Sequence, residues 1–187
     1  MLDVAQIAPE RPRPLRRAEY DLLVEHGRLA GEHVELLEGV IVEMSPQGHV
    51  HANVVERLTR LLILALHGRA VVRTQSAFAA GDSSEPEPDI AVIAPGRALS
   101  DPHPSEAFLI VEVADSSLVK DRGIKSSLYA RAGVPEYWIV DLRGMAVEVR
   151  TTLDGEDYAS CRVARLGDVL RPTTFPDVEI RVSDVLG

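Results

Sequence analysis

The sequence predicts a mixed α/β fold, with one central sheet, helices on its faces, and an N-terminal helix and β-hairpin ahead of it. Three observations predict it. Residues 49–67 place Val54, Val55, Leu58, Leu61, Leu62 and Ala65 at helical spacing, the strongest helical pattern in the chain. Three strand-like runs follow at 70–76, 88–93 and 108–114. A second helical segment then precedes another strand, Glu136-Tyr137-Trp138-Ile139-Val140-Asp141. The core order is helix, strand, strand, strand, helix, strand.

Each element has a local cause. Residues 1–14 form an extended arm, punctuated by Pro9, Pro12 and Pro14 with Arg11 and Arg13 between them. Residues 15–187 then make a single domain. Tyr20, Leu22, Leu23 and Leu29 give a short apolar helical face over 16–29, closed by Gly27 and Gly31. Residues 34–44 alternate around Glu38-Gly39, the pattern of a hairpin. Gly68 ends the long helix, and residues 81–88 are a rigid acidic loop in which Asp82, Glu85 and Glu87 are expected to be solvated. Asp121 is placed to cap the second core helix, which runs to about Ala132, and Gly133 stops it. Strands near 145–151 and 158–166 complete the sheet, and the stretch after Leu166 docks as a tail.

Composition narrows the function. Aromatic residues make up 4% of the chain, too few for rows of base-stacking platforms. The net charge of −9 argues against a protein that coats nucleic acid through phosphate contacts alone. It does not exclude an enzyme that brings a divalent cation to the phosphate, because the cation supplies local positive charge. Cys161 is the only cysteine, so no intrachain disulfide or multi-cysteine zinc site can form, and a reducing, cytoplasmic compartment is expected. The longest apolar run, residues 61–66, is far short of a membrane span, and residues 1–14 lack the basic start and apolar core of a signal peptide.

The chain has only two lysines, Lys120 and Lys125, against eighteen arginines. Lysine, unlike arginine, can change its protonation state when crowded or buried. Both lysines follow the run Phe108-Leu109-Ile110-Val111-Glu112-Val113-Ala114. Glu112 sits among residues that bury at least one face, and an unpaired carboxylate there requires a cation, either a metal or a basic side chain such as a buried arginine. Asp89 opens the preceding strand, where a turn role is the ordinary alternative. Two carboxylates on neighbouring strands plus a lysine are the parts of a metal-dependent phosphodiesterase site. His51 lies on the apolar face of the long helix, in its first turn, as a candidate supporting residue. Glu35 and Glu43 on the hairpin are remoter candidates, and a place near the metal is the alternative for Glu87. His103, in a proline-bounded loop, has no partner at ligand spacing.

Glu87-Pro88-Asp89-Ile90, Leu109-Ile110-Val111-Glu112-Val113, Asp121-Arg122-Gly123-Ile124-Lys125 and the run from Tyr129 to Asp141 resemble the PD-(D/E)xK nuclease superfamily. Within it they resemble a bacterial restriction-endonuclease family that was formerly a domain of unknown function. Glu35 to Gly39, Met44 to Pro46 and His51 are similar to that family's N-terminal half. The resemblance covers roughly residues 15–182 and implies a restriction-endonuclease-like central mixed sheet flanked by helices. It also implies metal-dependent endonuclease activity on DNA. Asp89, Glu112 and the Val113 carbonyl would then hold Mg²⁺ or Mn²⁺, Lys125 would be the catalytic lysine, and Tyr129 would position it. Lys120, expected as a solvated loop residue just before the helix, is the reserve lysine.

One position departs from the superfamily pattern. The lysine two residues after the acid is replaced by Ala114, and Lys125 stands four residues before Tyr129 on the next helix. RecB-type nucleases resemble this in carrying Gln-x-x-x-Tyr at the equivalent place. The alternative is a non-catalytic interaction or regulatory module that keeps the fold. Expected DNA contacts are Arg57, Arg60, Arg73 and the arm from Arg11 to Arg17, with weak, salt-sensitive affinity. A two-fold homodimer is the expected assembly.

Overall fold

The structure, a computed structural model, describes residues 9–187. The first eight residues of the expected N-terminal arm lie outside the described residues. Its remainder crosses the hairpin turn: Leu15 N–H donates to the Gly39 carbonyl at 3.0 Å. Helix α1 (Arg17–Glu25) stops short of the expected 29 and is capped by Glu19, whose carboxylate accepts from Arg16 N–H at 2.8 Å. Strands β1 (Val34–Leu37) and β2 (Val40–Glu43) form the expected hairpin. Glu38 and Gly39 supply its left-handed turn with φ of 50° and 76°. Only glycine fits at 39, because a Cβ there would lie 2.3 Å from the Pro14 Cβ.

Helix α2 (His49–Leu66) is followed by β3 (Val71–Thr74), β4 (Ile90–Ile93) and β5 (Leu109–Ala114). A broken helix comes next: α3 (Leu118–Lys120), a π-helical turn (Asp121–Lys125) and α4 (Ser126–Arg131). Strands β6 (Glu136–Asp141), β7 (Ala146–Asp154) and β8 (Asp157–Arg165) complete one sheet in the order β3-β4-β5-β6-β7-β8. Only the β5–β6 pair is parallel, as the intervening helix requires; the other neighbours run antiparallel. The expected α/β class and its mixed central sheet are therefore observed.

Period-two alternation divides the sheet's faces. Leu109, Val111 and Val113 of β5 pack with Trp138 and Val140 of β6 against Leu58, Leu62 and Leu66 of α2. Ile110 and Ala114 point the other way, with Tyr137 and Ile139, toward Leu128 and Tyr129 of α4. The tail after Leu166 docks on the α2 side. It forms a small ladder, β9 (Val169–Leu170) with β10 (Ile180–Arg181), and ends in α5 (Val182–Leu186). Buried Glu136 ties it down, accepting from Trp138 Nε1 at 2.6 Å and from Thr173 N–H at 2.5 Å. Among the described residues no helix is long and apolar enough to cross a membrane.

Asp121 does not cap a helix. The helix has already begun at Leu118, and the π-helical turn encloses Asp121, which is 1% exposed and accepts from Ser117 Oγ at 2.5 Å. The turn is pinned from outside. Arg122 Nε donates to Glu148 on β7 at 2.7 Å, Ser126 Oγ to Asp157 at 3.1 Å, and Tyr137 OH to the Asp121 carbonyl at 3.2 Å.

Candidate active site

The same alternation that divides the core aims Glu112 at α4. Its neighbours Val111 and Val113 face α2, so Glu112 shares a face with Ile110 and Ala114. Lys125 and Tyr129 stand one helical turn apart and meet it there. Lys125 Nζ donates to Glu112 Oε1 at 2.8 Å, and Tyr129 OH donates to the same oxygen at 2.7 Å. The cation beside Glu112 is therefore a lysine, not an arginine. Tyr129 holds the carboxylate rather than the ammonium. Lys125 is 2% exposed, a burial that such a side chain tolerates only when paired. Ala114, also on this face, leaves the position of a strand-borne lysine vacant.

Glu35 completes the arrangement. On β1, with Val34 and Leu36 buried beside it, it is fully buried and divides its oxygens between the two lysines. Oε1 lies 2.8 Å from Lys120 Nζ and Oε2 lies 3.1 Å from Lys125 Nζ. Lys120 is thus a helical, half-buried residue rather than a solvated loop residue. The signal for Glu35 was an acid inside a four-residue apolar strand, the same signal that singled out Glu112.

Asp89 is 7% exposed and lies just before β4. Its Oδ2 accepts from Val113 N–H at 2.7 Å and lies 3.1 Å from His51 Nε2. First-turn placement on α2 brings His51 there, and its Nδ1 is buried without a hydrogen-bond partner. Asp89, Glu112, Val113, Lys120, Asp121, Lys125 and His51 all line one cleft of about 360 Å³, with Glu43, Glu87 and Asp115 on its walls.

Carboxylates outnumber lysines in this cleft, and burial and mutual repulsion shift them. Burial pushes the Glu112 carboxyl up to about 8; Lys125 opposes that shift, while Asp89, Asp121 and Glu35 add to it. Burial lowers the Lys125 pKa, but Glu112 and Glu35 outweigh burial and leave it raised. Burial acts to raise Glu35, yet Lys125 and Lys120 hold it below the usual carboxylate range. Asp121 is raised, chiefly by burial. The hydrogen bond to Asp89 raises His51.

The donor set fits a hard divalent cation. Protein hydrogen bonds go to Oε1 of Glu112 and Oδ2 of Asp89, leaving the second oxygen of each carboxylate without a protein donor. The Val113 N–H points at Asp89, so its carbonyl leaves β5 by the same edge. Among the described residues no three His, Cys, Asp or Glu side chains form a ready-made cage. Two carboxylates and a carbonyl are nonetheless enough for Mg²⁺, which keeps several waters.

Other candidates lie elsewhere. Arg57 Nη1 donates to the Gly187 carbonyl at 2.6 Å, away from the cleft. Arg60 is exposed on α2, beside a neighbouring groove. Arg73, paired with Ala91 across β3–β4, is half-buried. In the arm, Arg13 pairs with Glu19 at 2.7 Å and Arg17 with Asp21 at 3.4 Å. The acidic loop is only partly solvated. Asp82 is exposed and Glu87 half-buried, but Glu85 is 3% exposed because its backbone bridges to Leu36 of β1. His103 Nε2 lies 3.9 Å from Glu85.

The six-stranded mixed sheet with one parallel step, β5–β6, and helices on its faces is the restriction-endonuclease-like fold. Residues 17–183 match the model of the Uma2 family, described as "Putative restriction endonuclease", and the chain belongs to that family. The fold is shared with a crystal structure from Anabaena variabilis described as a putative nuclease belonging to DUF820. The TM-score is 0.66 at 15% identity, covering 82% of this chain and 89% of that one. No curated protein matches the sequence.

Proposed function

We propose that the protein is a metal-dependent endonuclease that hydrolyses DNA phosphodiester bonds. The observation that carries this reading is the contact of 2.8 Å between Lys125 and Glu112, which supplies from the helix the lysine that Ala114 withholds from the strand. Asp89, Glu112 and the Val113 carbonyl would hold Mg²⁺ or Mn²⁺. Bound there, such a cation polarises a phosphoryl oxygen and lowers the pKa of a water. Lys125 stays protonated with its raised pKa, so it acts as a fixed positive charge, orienting the attacking water and stabilising charge that develops on the phosphate. It is not the base. Glu35 and Tyr129 hold the Lys125–Glu112 pair in place, and His51 holds Asp89. Arg73, on the Glu112 face of the sheet, is proposed as a DNA backbone contact.

Two features support the second reading, a non-catalytic module: Ala114 itself and the net charge of −9. One assay separates the two. Duplex, single-stranded and branched DNA are offered at low salt with Mg²⁺ or Mn²⁺ to wild type and to Asp89→Ala, Glu112→Ala and Lys125→Ala. The nuclease reading predicts metal-dependent cleavage that each substitution lowers by at least about 100-fold. Inactive wild type on every substrate would favour the module, and undiminished cleavage by all three variants would mean a contaminating enzyme.

A further inference from the structure

Helix α2 carries a second stripe that the core does not use. Beside its buried residues, Ala52, Glu56, Arg60 and Leu64 recur at every fourth position, and all four are exposed. They border an apolar groove of about 520 Å³, whose far wall is Thr74 and Gln75 at the end of β3. Ile63 and Leu64 stand side by side on this face, 52% and 57% exposed, and extend the apolar lining of the groove. β3 is an edge strand, and its second edge is unpaired among the described residues.

The order of the row identifies its occupant. Read along the helix it is small, acidic, basic, large. An antiparallel copy reads large, basic, acidic, small, so each position meets its complement: Leu64 over Ala52, and Arg60 against Glu56. Among the described residues neither Glu56 nor Arg60 has a salt-bridge partner within its own chain. Four-residue ridges that interdigitate are also the commonest way for two helices to pack. We infer that a second copy of this chain docks on this face, with the two α2 helices antiparallel across a two-fold axis between Glu56 and Arg60. The interface covers the open sheet edge, which proteins otherwise shield by charge, bulges or a covering element. Gln47, which lines both this groove and the active-site cleft, puts each cleft at the N-terminal end of its own α2, on either side of the axis.

The inference does not depend on the nuclease reading, and its test uses neither DNA nor metal. Sedimentation equilibrium on the full chain reads the dimer dissociation constant. Wild type is expected to dimerise. Leu64→Glu, at an exposed site, is expected to give a folded monomer by circular dichroism. Glu56→Arg and Arg60→Glu each create two like-charge contacts across the axis and are expected to weaken dimerisation about tenfold or more. The double reversal restores opposite charges and is expected to return the constant to near the wild-type value. A monomeric wild type, a dimer that survives Leu64→Glu, or a double variant as weak as the singles would each overturn the inference.

Discussion

At the scale of single residues, burial decides what each acid does. Glu112 and Glu35 are both enclosed and each has a lysine within 3.1 Å; the two lysines compensate the burial of Glu35, whereas Lys125 offsets that of Glu112 only in part and its carboxyl stays raised. Glu85 is not compensated. Its Oε2 is buried with no hydrogen bond, Arg17 stands 3.7 Å away, and burial together with nearby Asp21 pushes the carboxyl up to about 7. The folded state therefore binds the Glu85 proton more tightly than the unfolded state. That contribution to stability is complete below the unfolded carboxylate pKa and is lost as pH rises through about 7. Glu85→Gln should then be more stable than wild type at pH 8 by about 1–3 kcal/mol and should gain little at pH 4. Urea denaturation at the two pH values reads the difference, and an equal effect at both would contradict the assignment. Glu35→Ala makes the complementary prediction. It leaves Lys125 with Glu112 alone, so the expected change is a fall in catalytic rate rather than in DNA affinity, measured by single-turnover cleavage against binding.

Elements set these residues in place. The helix after β5 does not run as one piece, and its π-helical turn carries Lys125 to the strand, a use of such turns common at functional sites. Helix α2 does two jobs: Leu58 and Leu62 seal one face of the sheet, while His51 in its first turn reaches Asp89. Leu62→Ala should cost about 2–5 kcal/mol, because the side chain is fully buried among aliphatic neighbours. Gly39→Ala should be destabilising by about 1–3 kcal/mol and should loosen the arm. Its φ is 76°, and the added Cβ would meet Pro14. Thermal melts of both variants check these figures.

The sequence made the strands and α2 legible because their periodicities are strong and their ends are marked by glycine and proline. The π-helical turn was not legible. Its composition, Asp121-Arg122-Gly123-Ile124-Lys125, is that of a helix start, and the widening is imposed by tertiary anchors such as Arg122 on Glu148. The clustering of Asp89, Glu112 and Lys125 in one candidate site was legible, because an acid in an apolar strand and a rare lysine stand out locally. The burial of Glu35, its hold on Lys120 and the enclosure of Glu85 arise from hairpin contacts across more than 45 residues, which no local pattern records.

For the whole molecule, the charge distribution matters most. A protein of net charge −9 attracts DNA poorly at long range, so binding is expected to be weak and confined to surfaces that carry unpaired arginines. Arg73→Glu should weaken binding and flatten its dependence on salt, since each lost phosphate contact lowers the slope of affinity against salt by about one. Family membership and the shared fold agree with a nuclease; the excess of carboxylates over lysines in the cleft is what calls for a cation. The most direct test is titration calorimetry with Mn²⁺ on wild type, Asp89→Ala, Glu112→Ala and Lys125→Ala. The account predicts a single-site isotherm for wild type, its loss in both carboxylate variants, and its retention when only Lys125 is removed. Binding by Glu112→Ala equal to that of wild type would contradict it.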